Sequence, residues 1–186
     1  MPNIDAARGL QPVSSTKGTE KARLYYCDGA VATAIFIGDP VSRSSDGYVN
    51  LVSGGSGVII LGAVVGCYNA TLEPIQYLPA STAGYLLIAD DPRQEFIIQE
   101  DGASDDLTLG DAGLNVNLTT GGTGGSTVNG RSGWEIDSDT ETTSTNAQLR
   151  IIAIHDVENN TTGDYCRWIV MINYHQANAG AVGAAI

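Results

Sequence analysis

Residues 166–175 read CRWIVMINYH, and every second residue from Cys166 through Trp168, Val170 and Ile172 to Tyr174 is apolar. A two-residue period places those five side chains on one face of an extended strand, and no helix fits it. Similar short apolar runs recur along the chain, separated by Gly, Asp, Asn, Ser and Pro. They predict strands over 23–27, 32–41, 48–52, 58–68, 85–89, 95–99, 114–118, 134–137 and 148–154, in addition to 166–175. Nowhere do apolar residues recur at i, i+3, i+4 and i+7 over three turns. One helical turn is expected over 105–111, where Ser104 is placed to cap it and Asp105 and Asp106 suit its positive end. Ten short strands at this spacing predict an all-β fold: a single jelly-roll-like sandwich or barrel with an extended N-terminal arm.

The stretch IADDPRQEFIIQEDG, residues 88–102, tests whether the fold carries chemistry, because five carboxylates flank its short apolar centre. On a strand over 95–99, Phe96 and Ile98 face one way and Glu95, Ile97 and Gln99 the other. Asp90, Asp91 and Pro92 form a turn before it, and Glu100 and Asp101 enter the turn after it. The two acidic ends then lie about 25 to 30 Å apart at about 3.3 Å per residue, whereas carboxylates sharing acid/base work sit about 5 to 10 Å apart. The stretch reads as a strand with charged ends and not as an active site.

At 186 residues the chain is long enough to bury a core without metal or disulfides. Cys27, Cys67 and Cys166 lie far apart in apolar runs and are expected to be reduced and buried, as in a bacterial-type cytoplasm. The opening residues show no secretory signal. The most apolar run, residues 57–68, spans 12 residues where a membrane helix needs about 20, and Gly62 and Gly66 suit a buried strand with a bend. No membrane partner is expected.

Three domains of composition follow. Residues 1–21 have no aromatic residue and few apolar ones, which predicts an extended arm that stays solvated or orders on a neighbour. Residues 22–176 form the β-sandwich or barrel, and 177–186 are an Ala/Gly-rich tail. Net charge is −12, but residues 1–25 carry Arg8, Lys17, Lys21 and Arg23 against Asp5 and Glu20, a net +2, so the remainder carries −14. An acidic body repels phosphate backbones, which argues against direct nucleic-acid binding. The basic segment suits an acidic protein surface, and Arg8, Lys17, Lys21 and Arg23 are the candidate contacts with a neighbour or partner.

Other motifs point to no chemistry. Residues 53–57 (SGGSG) and 119–130 (TTGGTGGSTVNG) lack the Lys-Ser/Thr ending of a phosphate loop and read as flexible hairpin tips. His155 and His175 end strands and read as rim residues, and no GxSxG elbow is present. Asp137, Asp139 and Glu141 begin a calcium-loop spacing that fails at Thr142 and Gln148. Zinc lacks a spaced Cys/His set. No catalytic residue, metal or cofactor is expected.

The order of the motifs carries more than any one of them. RLYYCDGAVATAIFIGDPV (23–41), LGAVVGCY (61–68), YLPAS (77–81), YLLIADDPRQEFIIQEDG (85–102), AGLNVNL (112–118), GWEIDSDT (133–140), LRIIAI (149–154) and WIVMINYHQ (168–176) together resemble a family of tailed-bacteriophage virion proteins. Its members include the head cement, or decoration, proteins of cyanophage-type capsids. The resemblance spans residues 23–176. It implies a non-enzymatic protein of the virion, assembled in the host cytoplasm. Such a protein binds the major capsid protein on the outer surface of the mature icosahedral head, as a homotrimer at local threefold positions. A tail or fibre module that binds host glycans is the alternative, with Tyr25, Tyr26, Tyr48, Tyr68, Tyr77 and Trp134 as stacking surfaces. A metal-assisted hydrolase using Asp90, Asp91 or the Asp137 cluster is the third.

Overall fold

A computed structural model describes residues 3–13, 21–119 and 124–177. Among the described residues the fold is all-β: twelve strands form two antiparallel sheets, consistent with a sandwich, beside a single 3-10 turn. The strand order does not by itself establish the jelly-roll connectivity.

The strands are β1 (Gln11–Pro12), β2 (Ala22–Cys27), β3 (Pro40–Arg43), β4 (Val49–Leu51), β5 (Gly62–Asn69), β6 (Pro74–Ile75), β7 (Gly84–Ala89), β8 (Glu95–Gln99), β9 (Asn115–Leu118), β10 (Ile136–Thr142), β11 (Leu149–Ile154) and β12 (Arg167–Ile172). One sheet runs β1-β8-β12-β11-β9-β10 and the other β2-β7-β5-β3-β4, with β6 beside β5.

Alternation along β12 and β8 explains the first sheet. Trp168, Val170 and Ile172 are buried, as are Phe96 and Ile98, and the register Trp168↔Ile98 and Val170↔Phe96 stacks these rows on one face. Val116, Leu118, Ile136, Leu149 and Ile151 continue that face into one core, which Ala63 and Ala89 of the second sheet join. A parallel bridge between Glu100 and Ile136 joins the end of β8 to the start of β10, so this sheet rolls toward closure. A second core packs Val41, Val49, Val64, Cys67, Leu86 and Ile88 beneath Ile35 and Leu78. The bend expected near Gly62 and Gly66 is present: the β5–β7 register shifts between Val64 and Gly66. At Gly62 a Cβ would stand 2.2 Å from the Ala89 carbonyl oxygen.

Several expectations change. The helical turn is shorter and later, over Leu109–Asp111, and Thr108 caps it in place of Ser104, because Asp111 reaches back to the Thr108 amide as the Thr108 hydroxyl accepts from Gly110. Neither Gly-rich segment is merely a loop tip where it is described. A Cβ on Gly54 would stand 2.0 Å from the Thr119 carbonyl oxygen, and one on Gly125 2.1 Å from that of Arg131. These glycines let backbones meet closely. The three cysteines are free and buried, as expected.

The N-terminal segment differs most. Residues 3–13 lie on the body of their own chain. Gln11 and Pro12 pair with Ile97 and Phe96, and Leu10 is fully buried in the first core. The Leu10 amide donates to the Gly38 carbonyl at 2.9 Å. Gly9 and Gly38 both have positive φ, and a Cβ on Gly9 would fall 2.3 Å from the Gly38 oxygen, so this contact requires glycine. One buried leucine with backbone pairing suffices to dock a segment that composition alone describes as unable to order itself.

Leu10→Ala is therefore expected to lower unfolding stability by about 2 to 5 kcal/mol, whereas Ile4→Ala, at a side chain 79% exposed, changes it little. Urea denaturation of both variants checks this; a neutral Leu10→Ala would mean that the segment is not part of the core.

Candidate functional site

Three exposed cations gather on one recess. Lys21 precedes β2, Arg23 lies within it, and Arg43 ends β3; with Tyr25, Leu61, Asp90, Asp91, Pro92, Gln176 and Ala177 they line a hollow of about 350 Å³. The spacing of β2 brings Arg23 and Tyr25 onto the same face, where both reach the carboxylate of Asp90 just beyond β7. The Tyr25 hydroxyl donates to Asp90 Oδ2 at 2.6 Å, and Arg23 Nη1 lies 3.3 Å from the same oxygen. Asp90 is 4% exposed in its side chain and Arg23 71%. The carboxylate is thus a buried anchor that orients an exposed guanidinium. Burial, then the Asp90 hydrogen bond, raises the Tyr25 pKa and keeps its proton in place as a donor. Gln176 stitches the far wall, accepting from the Arg43 amide at 2.8 Å and donating to its carbonyl at 2.7 Å.

Of the four contacts expected from sequence, Lys21 and Arg23 come together here. Arg8 is exposed but lines a separate groove, and Lys17 lies outside the described residues. Arg43 is the member that sequence reading missed; nothing in its local context distinguishes it, and only the β3–β5–β7–β2 pairing carries it toward Arg23.

The strand with charged ends also needs correction. Asp90 and Glu100 are both buried, at 6% and 0% exposure. Glu100 Oε2 accepts from the Leu107 amide at 2.9 Å, and the Trp168 indole N–H beside it also favours the charged form. Burial outweighs both and pushes its pKa up to about 7. Nearby, Gln99 Nε2 donates to Glu135 at 2.9 Å and to Asp5 at 3.3 Å, and burial pushes Glu135 up to about 7 as well. Asp101 accepts from the Ser138 hydroxyl at 2.9 Å. The end of β8 and the start of β10 thus form an acidic band in which Glu100, Asp101 and Glu135 each have their own donors. Among the described residues no group of three or more His, Cys, Asp or Glu side chains is placed to hold a metal ion. Asp137, Asp139 and Glu141 are spread along β10. Glu100 is fully buried and has no surface on which to meet a substrate.

His175 is not a rim residue. It is fully buried, its Nδ1 accepts from the Ala177 amide at 3.0 Å, and burial holds its pKa below the usual value, partly offset by Asp90. His155 is half-buried, and burial followed by Arg167 lowers its pKa. Among the aromatics, Trp134 is 2% exposed and belongs to the core, and Tyr77 stacks on Phe36 at 5.2 Å. Tyr26 instead meets Tyr85 at 5.2 Å and Tyr48 at 5.6 Å, and with Leu24 forms a partly exposed apolar patch on the second sheet.

No family model matches the chain, and comparison with curated proteins and with solved structures also returns no match.

A carboxyl that stays protonated in the fold but ionises near 4.5 when unfolded stabilises the fold below that value and loses its contribution as pH rises through about 7. Glu100→Gln removes this loss. Relative to wild type, E100Q is expected to gain about 1 to 3 kcal/mol between pH 5 and pH 8, read by urea denaturation at each pH; a constant difference would mean that Glu100 is ionised throughout.

Proposed function

We propose that this protein is a phage head cement, or decoration, protein that binds the outer surface of the mature icosahedral capsid and stabilises the expanded shell by bridging subunits of the major capsid protein. The observation that carries the reading is the cluster of Lys21, Arg23 and Arg43 around one recess on a chain whose net charge is −12. Such a local reversal of sign orients a protein toward an acidic partner surface while the remaining acids repel other surfaces and nucleic acid. The collinear motifs over residues 23–176 support the same reading, as does the two-sheet body.

The mechanism needs no bond-making. A homotrimer at a local threefold position contacts several capsid subunits, and each contact after the first is made at an effective concentration of order mM. Binding to the expanded lattice and not to its precursor stabilises that lattice by RT ln(1 + [L]/Kd). The N-terminal residues 3–13 serve the folding of their own chain, so in this reading the capsid contact shifts from the arm to the recess.

The apolar patch of Leu24, Tyr26, Tyr48 and Tyr85 favours a second reading, a tail or fibre module that stacks host glycans on tyrosine rings.

Lys21→Glu combined with Arg43→Glu leaves the Arg23–Asp90 pair intact. It is expected to reduce co-sedimentation with undecorated heads of the parent phage by about tenfold or more at 0.15 M salt. Equal sedimentation of variant and wild type would remove the recess from the mechanism. Wild-type protein that ignores heads but binds a glycan array would favour the second reading.

A further inference from the structure

A larger groove lies apart from the basic recess. It holds about 690 Å³ between the N-terminal segment, β8 and the loop leading into β12. Ile4, Ala6 and Ile97 supply an apolar wall. Arg8 enters from the N-terminal segment and Arg167 from the start of β12. Both arginines are exposed, and neither side chain makes an ion pair or hydrogen bond with any described residue. The Arg23–Asp90 contact is the one ion pair among the described residues, so these two guanidinium groups, like most bases of the chain, are free to meet a ligand. Glu158 is the acid on the lining.

The rim is built and held. Asn3 clamps the loop by donating to the Thr161 carbonyl at 2.7 Å and the Asp164 carbonyl at 2.9 Å, while its Oδ1 accepts from the Thr161 amide at 3.1 Å. Asn160 accepts from the Arg167 amide at 2.8 Å and donates to its carbonyl at 2.9 Å, fixing the backbone from which that guanidinium projects. Two lining residues, Asn159 and Tyr165, have φ of 62°, in the left-handed region. Asparagine tolerates that conformation; a tyrosine there is an outlier, and such strain persists where surrounding contacts over-determine it.

We propose that this groove binds an acidic, aliphatic peptide segment of a partner protein, with Arg8 and Arg167 as the forks that take its carboxylates. A guanidinium matches a carboxylate through two parallel N–H donors, and two unpaired forks beside an apolar wall suit acidic side chains interleaved with aliphatic ones. A sugar acid shares the carboxylate but needs a bare aromatic face for its ring, and the Tyr165 ring is already pressed on Gly102, where a Cβ would stand 2.6 Å from the tyrosine oxygen. A loop held in shape before binding spares the ligand the cost of ordering it. The site goes beyond the capsid reading and does not depend on it.

The test uses the full-length protein and fluorescence polarisation of a labelled peptide, Glu-Leu-Glu-Leu-Glu-Leu, with Gln-Leu-Gln-Leu-Gln-Leu as the uncharged control and tri-galacturonate as competitor. The acidic peptide is expected to bind saturably, about tenfold or more tighter than the control, with a comparable loss in Arg8→Ala and in Arg167→Ala. Lys21→Ala, in the other recess, leaves the affinity unchanged. Absence of saturable binding, equal affinity for both peptides, or indifference to Arg8→Ala would overturn the proposal. Displacement of the peptide by tri-galacturonate at lower concentration than by unlabelled peptide would reassign the groove to a sugar acid. Should Arg167→Ala fail to fold, Arg8→Ala alone decides, because Arg8 has no described partner whose loss would unfold the chain.

Discussion

The structure turns on the strand Glu95–Gln99 being covered on both edges and at its end. One edge pairs with Arg167–Ile172 over five residues, the other receives Gln11 and Pro12, and beyond its end Glu100 bridges to Ile136. Phe96 and Ile98 then stand at the centre of the larger core, and a carboxyl is carried inside at the point where the sheet closes. Burial of Glu100 opposes folding whenever the group is ionised, so closure is tied to its protonation and to the Leu107 amide that faces it. The docked N-terminal segment follows from the same strand, because it covers the edge that β12 leaves open.

Rolling also determines what the surface presents. β10 ends the first sheet, and its Asp137, Asp139 and Glu141 put charge along an edge that would otherwise invite another strand. The tyrosine patch lies on the outward face of the second sheet, where Tyr26 and Tyr85 alternate with the core-facing Tyr25 and Leu86. Five of the nine basic residues lie in two places: Lys21, Arg23 and Arg43 on the recess, and Arg8 with Arg167 on the groove. The first is anchored by the buried Asp90 and the half-buried Tyr25, the second by the half-buried Asn3 and Asn160.

Much of the fold was legible because period-two alternation is a local signal. Glu95–Gln99 has the boundaries that its pattern predicts, and the side of Phe96 and Ile98 follows from parity alone. Strands of two residues, such as Gln11–Pro12 and Pro74–Ile75, carry no period, so only tertiary pairing defines them. Asp90 and Glu100 read as solvated ends because the groups that accept them inside, Tyr25 and the Leu107 amide, are identified only by folding. The same holds for His175, whose place at a strand end gives no sign of the Ile60 segment that bridges to it. Two of the three members of the basic cluster, Lys21 and Arg23, were visible in a charged N-terminal stretch, while Arg43 joins them through sheet order. Alternation reports which face a residue takes; it does not report which distant strand lies opposite.

Cryo-electron microscopy of the parent virion tests the proposed role most directly. The account predicts density for this two-sheet body on the outside of the head, three copies around each occupied local threefold position, with the side bearing Lys21 and Arg43 against the shell. Density for the chain in a tail fibre, or a virion that lacks it altogether, would contradict it.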